Sequence, residues 1–247
     1  MDRMIYTAMT GTQHILNQQA TNSHNLANVN STGFRAQIDG FRAVPIISEG
    51  LNTRAFVVDA TTGTDFSPGP IQQTGRSLDV AIITKGWLAV AKPDGSEAYT
   101  RNGALGINEN GMLITSQGLP VMGDGGPIAI PPDVTITIAS DGTISSVNNL
   151  PQPGPSNILG RLKLTNPNEA TLVRGEDGLF QTANKQAAEM DILVRIESGS
   201  LEGSNVNVVH SMVNMISLAR QFDVQMKLMQ NAENNAAKAS QLFSLVG

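Results

Sequence analysis

The sequence has no cysteine. That excludes a disulfide framework, a thiolate nucleophile and a zinc–cysteine site. It fits the cytosol, and equally a chain that crosses a membrane unfolded and works outside it. Aromatic residues are scarce at 4%, with one Trp and two Tyr, so any core is aliphatic. Charge is scarce too: Asp, Glu, Lys and Arg make up 15% of the chain, against roughly 25% in an average soluble domain. Such a surface is unusual for a free monomer and less so for one later covered by other subunits. The net charge of −5 and pI near 5.2 offer no basic face for nucleic acid or anionic lipid. No long apolar run is present, so no direct membrane insertion is expected. The opening Met1–Gly11 has no basic stretch followed by an apolar core, which reads as a cytosolic chain or one exported without a cleaved signal peptide.

Catalytic signatures are missing as well. There is no HExxH, no GxSxG, no P-loop and no EF-hand pattern. Gly123-Asp124-Gly125-Gly126 lacks dinucleotide spacing and suits a hairpin turn. His14 and His24 are about 15 Å apart along a helix and cannot share a metal within one chain. His210 falls at the start of a second helical stretch. All three read as helix-surface or interface residues, and Glu176-Asp177 reads as a turn. The single Trp87 reads as core packing. The expectation is no catalytic residue, no cofactor and no metal.

What is present divides the chain in three. From Met1 to about Val29, the residues Ile5, Ala8, Thr12, Ile15, Gln19, Asn22, Leu26 and Val29 step by three and four, a heptad frame. A second stripe, Met9, Gln13, Leu16, Ala20, Ser23 and Ala27, keeps the same rhythm on an adjacent face. This describes a helix that packs on two sides; an ordinary amphipathic helix on a globular core has the same period. From about Ser31 to Gly203 the period changes. Seven Asn-Gly or Asp-Gly pairs (at 39, 94, 102, 110, 124, 141 and 177) suit turns needing positive φ. Between them lie short strand-like runs: Val80–Ile83, Trp87–Ala91, Met112–Thr115, Val134–Ile138, Ile158–Leu164 and Ile192–Ile196. Pro68-Gly69-Pro70 and Pro151–Pro155 mark loops or linkers.

From Asn205 onward, Val208, Met212, Met215, Ala219, Phe222, Met226, Met229, Glu233, Ala236, Ser240 and Phe243 again step by four and three. Fully helical, Asn205–Phe243 would span about 58 Å. Asn214, Asn231, Asn234 and Asn235 weaken such a helix by about 2–3 kcal/mol in total. Glu/Lys pairing on its polar side is thin. The helix is therefore expected to gain order against neighbouring subunits. The fold class is α+β: long N- and C-terminal helices flanking a predominantly antiparallel β domain.

Two segments stand out. The first is Asn25-Leu26-Ala27-Asn28, followed by Asn30-Ser31-Thr32-Gly33-Phe34-Arg35. Physically, Asn28 or Asn30 and then Gly33 can end a helix in the left-handed region. Phe34 can anchor the departing chain, and Arg35 falls on its polar edge. The second is Leu201-Glu202-Gly203-Ser204-Asn205-Val206-Asn207-Val208, continuing through Met212, Met215, Ile216, Arg220 and Phe222. Its Ser and Asn residues can cap a returning helix, and Glu202 lies where the helix dipole favours negative charge.

Both segments resemble the terminal signatures of the flagellar basal-body rod and hook protein family. The middle is similar too, at Leu78–Ile82, Gly86-Trp87, Ala98–Gly103, Asn166-Pro167 and Gly178–Phe180, so the resemblance covers essentially the whole chain. Met1–Tyr6 and the length look more like the proximal rod branch than the distal rod or hook branches, which stay open as alternatives beside a remote one, a secreted cell-wall hydrolase. The chain departs from the pattern at His210, where relatives often carry an acidic residue.

The resemblance implies a structural subunit of the proximal rod that self-assembles in the periplasmic space and transmits torque. It implies export through the flagellar type III apparatus and partners among homotypic, proximal and distal rod subunits. It implies that the terminal helices form the inner layer of a tube. The implied segments are an assembly helix over 1–30, a connector over 31–77, a β domain over 78–198 and a second assembly helix over 199–247. The implied assembly interface comprises Ile5, Ile15, Asn25, Leu26, Asn28, Gly33, Phe34, Ser204, Asn205, Asn207, Met212, Met215, Ile216, Phe222 and Met226.

Overall fold

A computed structural model describes residues 2–45, 55–148 and 156–246. By contacts the chain forms two compact units. The terminal unit comprises Met1–Val29, Ala36–Asp65 and Val206–Gly247; the β unit comprises Asn30–Arg35 and Phe66–Asn205. The segment read as a connector is thus shared between the two units.

The terminal unit holds helix α1 (Asp2–Ala27), antiparallel strands β1 (Gln37–Pro45) and β2 (Ala55–Thr64), and helix α2 (Val208–Val246). Asp39-Gly40, taken from sequence as a turn, lies inside β1, where the register slips between Gly40 and Phe41. The pair serves a bulge that bends the strand. Asn207 begins α2: its Oδ1 accepts the His210 N–H at 3.0 Å and its carbonyl accepts the Ser211 N–H at 3.0 Å, as an N-cap does.

The β unit is antiparallel throughout its named pairings. A five-stranded sheet runs, in spatial order, Leu164–Thr165, Trp87–Ala91, Glu97–Thr100, Phe180–Thr182 and Leu172–Arg174. Val134–Ile138, Thr143–Asn148 and Asn157–Arg161 form a three-stranded meander. Among the described residues four two-stranded ribbons accompany them, including Ile196–Ser198 with Val80–Ile82 and Ser200–Glu202 with Ile71–Gln73. Gly123–Gly126 closes a tight hairpin, as its composition suggested. Glycine takes positive φ in the pairs at 94, 110, 141 and 177. The aliphatic core gathers Val80, Leu88, Leu105, Leu113, Ile144, Leu162 and Ile196, all nearly inaccessible. Trp87 packs beside it against Phe180, with ring centroids 4.7 Å apart.

Ile192–Ile196 is only partly a strand. Asp191 Oδ1 accepts the Leu193 N–H at 2.8 Å, and the Arg195 guanidinium donates to the Ile192 carbonyl at 2.6 Å. These local bonds fix a turn that leaves Ile192 and Leu193 exposed, and pairing starts at Ile196. Pro68-Gly69-Pro70 lies outside any strand, as expected. Pro151–Pro155 lies outside the described residues.

Candidate assembly interface

In the terminal unit α1 and α2 run antiparallel. The Asn22 amide donates to the Ser211 carbonyl at 2.7 Å, and Gly11 faces the Gln225 side chain, so falling numbers on one helix meet rising numbers on the other. Ile5, Ala8, Thr12, Ile15, Gln19 and Asn22 turn inward on α1, the first stripe read from the sequence. On α2 the inward residues are Ser211, Met215, Leu218, Phe222, Gln225, Met229 and Ala232. Met215, Phe222 and Met229 belong to the expected seam; Met212, Ala219 and Met226 do not face α1 and are exposed. The seam is rotated because small Ser211 meets Asn22 and Leu218 is buried, while methionines one position later turn outward.

Three contacts cover one side of α1 with the strand pair. Thr21 Oγ1 donates to Asp39 Oδ1 at 2.9 Å, and the His14 ring meets Phe41 edge-on at 5.5 Å. Buried Asn25 makes a two-way bond with the start of β1: its amide donates to the Gln37 carbonyl at 2.8 Å and its Oδ1 accepts the Gln37 N–H at 2.8 Å. The carboxamide acts there as a surrogate peptide group, which accounts for Asn at this motif position.

The opposite side is bare. In an antiparallel pair of right-handed helices, residues one position after each inward residue lie on the same side of the pair. On α1 these are Tyr6, Met9, Gln13, Leu16, Ala20 and Ser23, nearly all of the second stripe; on α2 they are Met212, Ile216, Ala219, Asp223, Met226, Gln230 and Glu233. All are exposed. Tyr6, Met9, Leu16, Met212, Ile216 and Met226 make this side apolar. No Asp, Glu, Lys or Arg occurs from Met4 to Phe34 or from Gly203 to Ala219.

The motif residues divide between the units. Half-buried Leu26 lies in the last turn of α1, and the Asn28 amide and N–H both return to the His24 carbonyl, at 2.9 and 3.2 Å. Gly33 has φ 67° but lies well past the helix, so it is not the helix cap. A Cβ there would strike the Arg101 and Asn102 backbone in the β unit, which is why the position needs glycine. Buried Phe34 lies under the Arg174 guanidinium at 4.6 Å, and its carbonyl accepts the Asn205 N–H at 3.4 Å. The Asn205 amide reaches the Ser67 carbonyl at 3.1 Å, and Ser204 is buried.

Inside the β unit the two motifs meet through a charge pair. Arg35 and Glu202, taken from sequence as edge and dipole residues, are each 1% exposed. Arg35 Nη2 donates to Glu202 Oε1 at 2.7 Å. The same oxygen accepts the Gly69 N–H at 2.9 Å, and Arg101 Nε lies 3.1 Å from Oε2. The Glu202 carbonyl accepts the Gly33 N–H at 2.7 Å. Burial pulls the Arg101 guanidinium down to about 10, opposed by the Glu202 carboxylate, so it stays charged at neutral pH. A charge at this depth survives only when paired. Sequence reasoning missed this cluster. The available signal was that Arg35 and Glu202 are lone charges bordering two uncharged stretches.

Two family models match this chain: the flagellar hook protein FlgE/F/G D1 domain over residues 81–146, within the β unit, and the flagellar basal body rod FlgEFG protein C-terminal region over residues 197–242. Both describe the hook-and-rod class. Over 99% of its length the chain is 48% identical to the full-length flagellar basal-body rod protein FlgF of Escherichia coli K12. It is 46% identical to FlgF of Salmonella typhimurium over the same share of the chain and all of that protein. A flagellar basal-body rod protein FlgG of Buchnera aphidicola is 31% identical over 89% of the chain and 92% of its own length. The chain belongs to the flagellar basal-body rod protein family, whose members are structural components of the rod. Among the described residues no helix is long and apolar enough to cross a membrane.

Proposed function

We propose that this chain is a non-enzymatic subunit of the proximal rod that polymerises through the bare side of its α1/α2 pair and carries torque along the polymer. One observation carries the reading: β1 and β2 cover one side of α1, while the other side of the helix pair presents Tyr6, Met9, Leu16, Met212, Ile216 and Met226 to solvent, beside Asp223 and Glu233 of α2. Head-to-tail contacts between unlike surfaces build helical assemblies, which suits a rod. Full burial of each apolar side chain there contributes roughly 1.5–3 kcal/mol, so six of them supply ample drive for association. Met212, Ile216 and Met226 contact neighbouring subunits directly, whereas Ile5, Ile15, Met215 and Phe222 act by shaping the pair. Asn25, Asn28, Gly33, Phe34, Ser204, Asn205 and Asn207 hold the chain where it enters and leaves the helices. The partners are other copies and neighbouring proximal and distal rod proteins. The chain reaches them through the flagellar type III export apparatus.

The test compares directions on one helix. Ile216→Asp, pointing outward, should abolish incorporation into basal bodies while circular dichroism and the unfolding midpoint stay as in the parent chain. Leu218→Asp, pointing inward, should lose helix content as well. Normal motility and normal rods with Ile216→Asp would overturn the reading.

A further inference from the structure

We infer that Met9, Met212 and Met226 form a peroxide-sensitive patch, and that their conversion to sulfoxides blocks self-association of the free subunit. This rests on the bare side of the helix pair serving in assembly. With no cysteine, the ten methionines are the only sulfur in the chain. Among those with described side chains, Met9, Met212 and Met226 are exposed, at 55, 51 and 39%. Met112, Met122, Met190, Met215 and Met229 are at least half-buried. No exposed methionine occurs among the described residues of the β unit, so the exposed methionines with described side chains all lie on the helix pair.

The three also share one side. Each follows an inward residue directly: Met9 follows Ala8, Met212 follows Ser211, and Met226 follows Gln225. Gly11 faces Gln225, so Met9 and Met226 lie at nearly the same level of the pair. Around them are Tyr6, Leu16 and Ile216; α1 carries no formal charge on this side from Met4 onward, and Asp223 and Glu233 on α2 are acceptors that cannot donate to an added oxygen.

The chemistry is a two-electron oxygen transfer. The thioether lone pair attacks a peroxide oxygen, the O–O bond breaks, and an S–O bond forms. The sulfur is oxidised and the second oxygen leaves as water with both peroxide protons. A flexible apolar side chain becomes a strong hydrogen-bond acceptor. Buried in an apolar contact without a donor, that acceptor disfavours association. Because assembly covers the same sulfurs, a subunit is vulnerable before incorporation and protected after it.

The experiment treats purified full-length chain with hydrogen peroxide, maps sulfoxides by peptide mass, and measures self-association by sedimentation. Sulfoxide should accumulate at Met9, Met212 and Met226 ahead of the five less exposed methionines. The association midpoint should then rise about tenfold or more in concentration, and methionine sulfoxide reductases should reverse the rise. In the Met9→Leu/Met212→Leu/Met226→Leu variant, the ratio of treated to untreated midpoints should return to about one, whatever its own midpoint. Equal oxidation of all methionines, or an unchanged midpoint in chain carrying the three sulfoxides, would overturn the inference while leaving the assembly side intact. Untreated chain that associates equally well as parent and as Leu16→Asp would overturn the assembly side itself, and the inference with it.

Discussion

The two units solve the hydrophobic problem in opposite ways. In the β unit the apolar side chains of the core face one another, and residues such as Leu88, Val121, Ile144 and Leu162 are sealed from water. In the terminal unit few side chains are buried: Thr12, Ile15, Asn25, Ser211 and Leu218 among the described residues. The two helices there still leave Leu16, Met212 and Ile216 exposed. The β unit encloses a sealed aliphatic core within a single chain, although Ile158, Ile192 and Leu193 stay exposed on its surface, whereas the helix pair encloses only a thin seam. The difference is between a fold whose stability is intramolecular and one that, on the proposed reading, completes its burial by association.

That comparison can be broken most forcefully at Glu202. Replacing it with Ala leaves Arg35 and Arg101 buried without their carboxylate and should cost about 3–5 kcal/mol in urea unfolding of the β unit. Glu202→Gln, keeping shape and an acceptor, should cost less. Next comes Ile144→Ala, which opens a cavity in the sealed core and should cost roughly 2–5 kcal/mol by the same measurement; hydrogen exchange in α1 and α2 should be unchanged. A smaller effect, about 1 kcal/mol, is expected for Asn207→Ala, read as faster exchange in the first turn of α2 only.

The smallest effect should come from acid. The N–H and hydroxyl of Thr143 hold the Asp141 carboxyl below its usual range. Its folded value is depressed, so its contribution is present above the ordinary Asp value near 3.9. That contribution fades as pH falls through the folded value. Asp141→Asn should flatten that acid slope slightly without moving the neutral-pH midpoint by more than a few tenths of a kcal/mol.

The parts of the fold written in periodicity were legible. The three-and-four steps of both helices, the inward stripe Ile5–Asn22 and the alternating run Val134–Ile138 all come from local patterns that the structure keeps. The α2 seam was legible only in part, because apolar residues occupy several of its faces and only the partner helix decides which is inside. Met215 and Phe222 fit either choice; Met212 and Met226 do not. At Gly40 and Ile192–Arg195 a bulge and an Asx turn override the local signal. The Arg35–Glu202–Arg101 cluster was not legible at all. Pairing across such separations follows from topology, and a charged residue beside a turn motif carries no mark of its burial.

The Arg35–Glu202 contact joins positions 167 residues apart. A chain emerging from one end, whether from the ribosome or from a narrow channel, therefore holds one charge of the cluster long before the other arrives. Until Glu202 arrives, Arg35 and Arg101 lack the carboxylate that lets them be buried, so this corner of the β unit is the last to close.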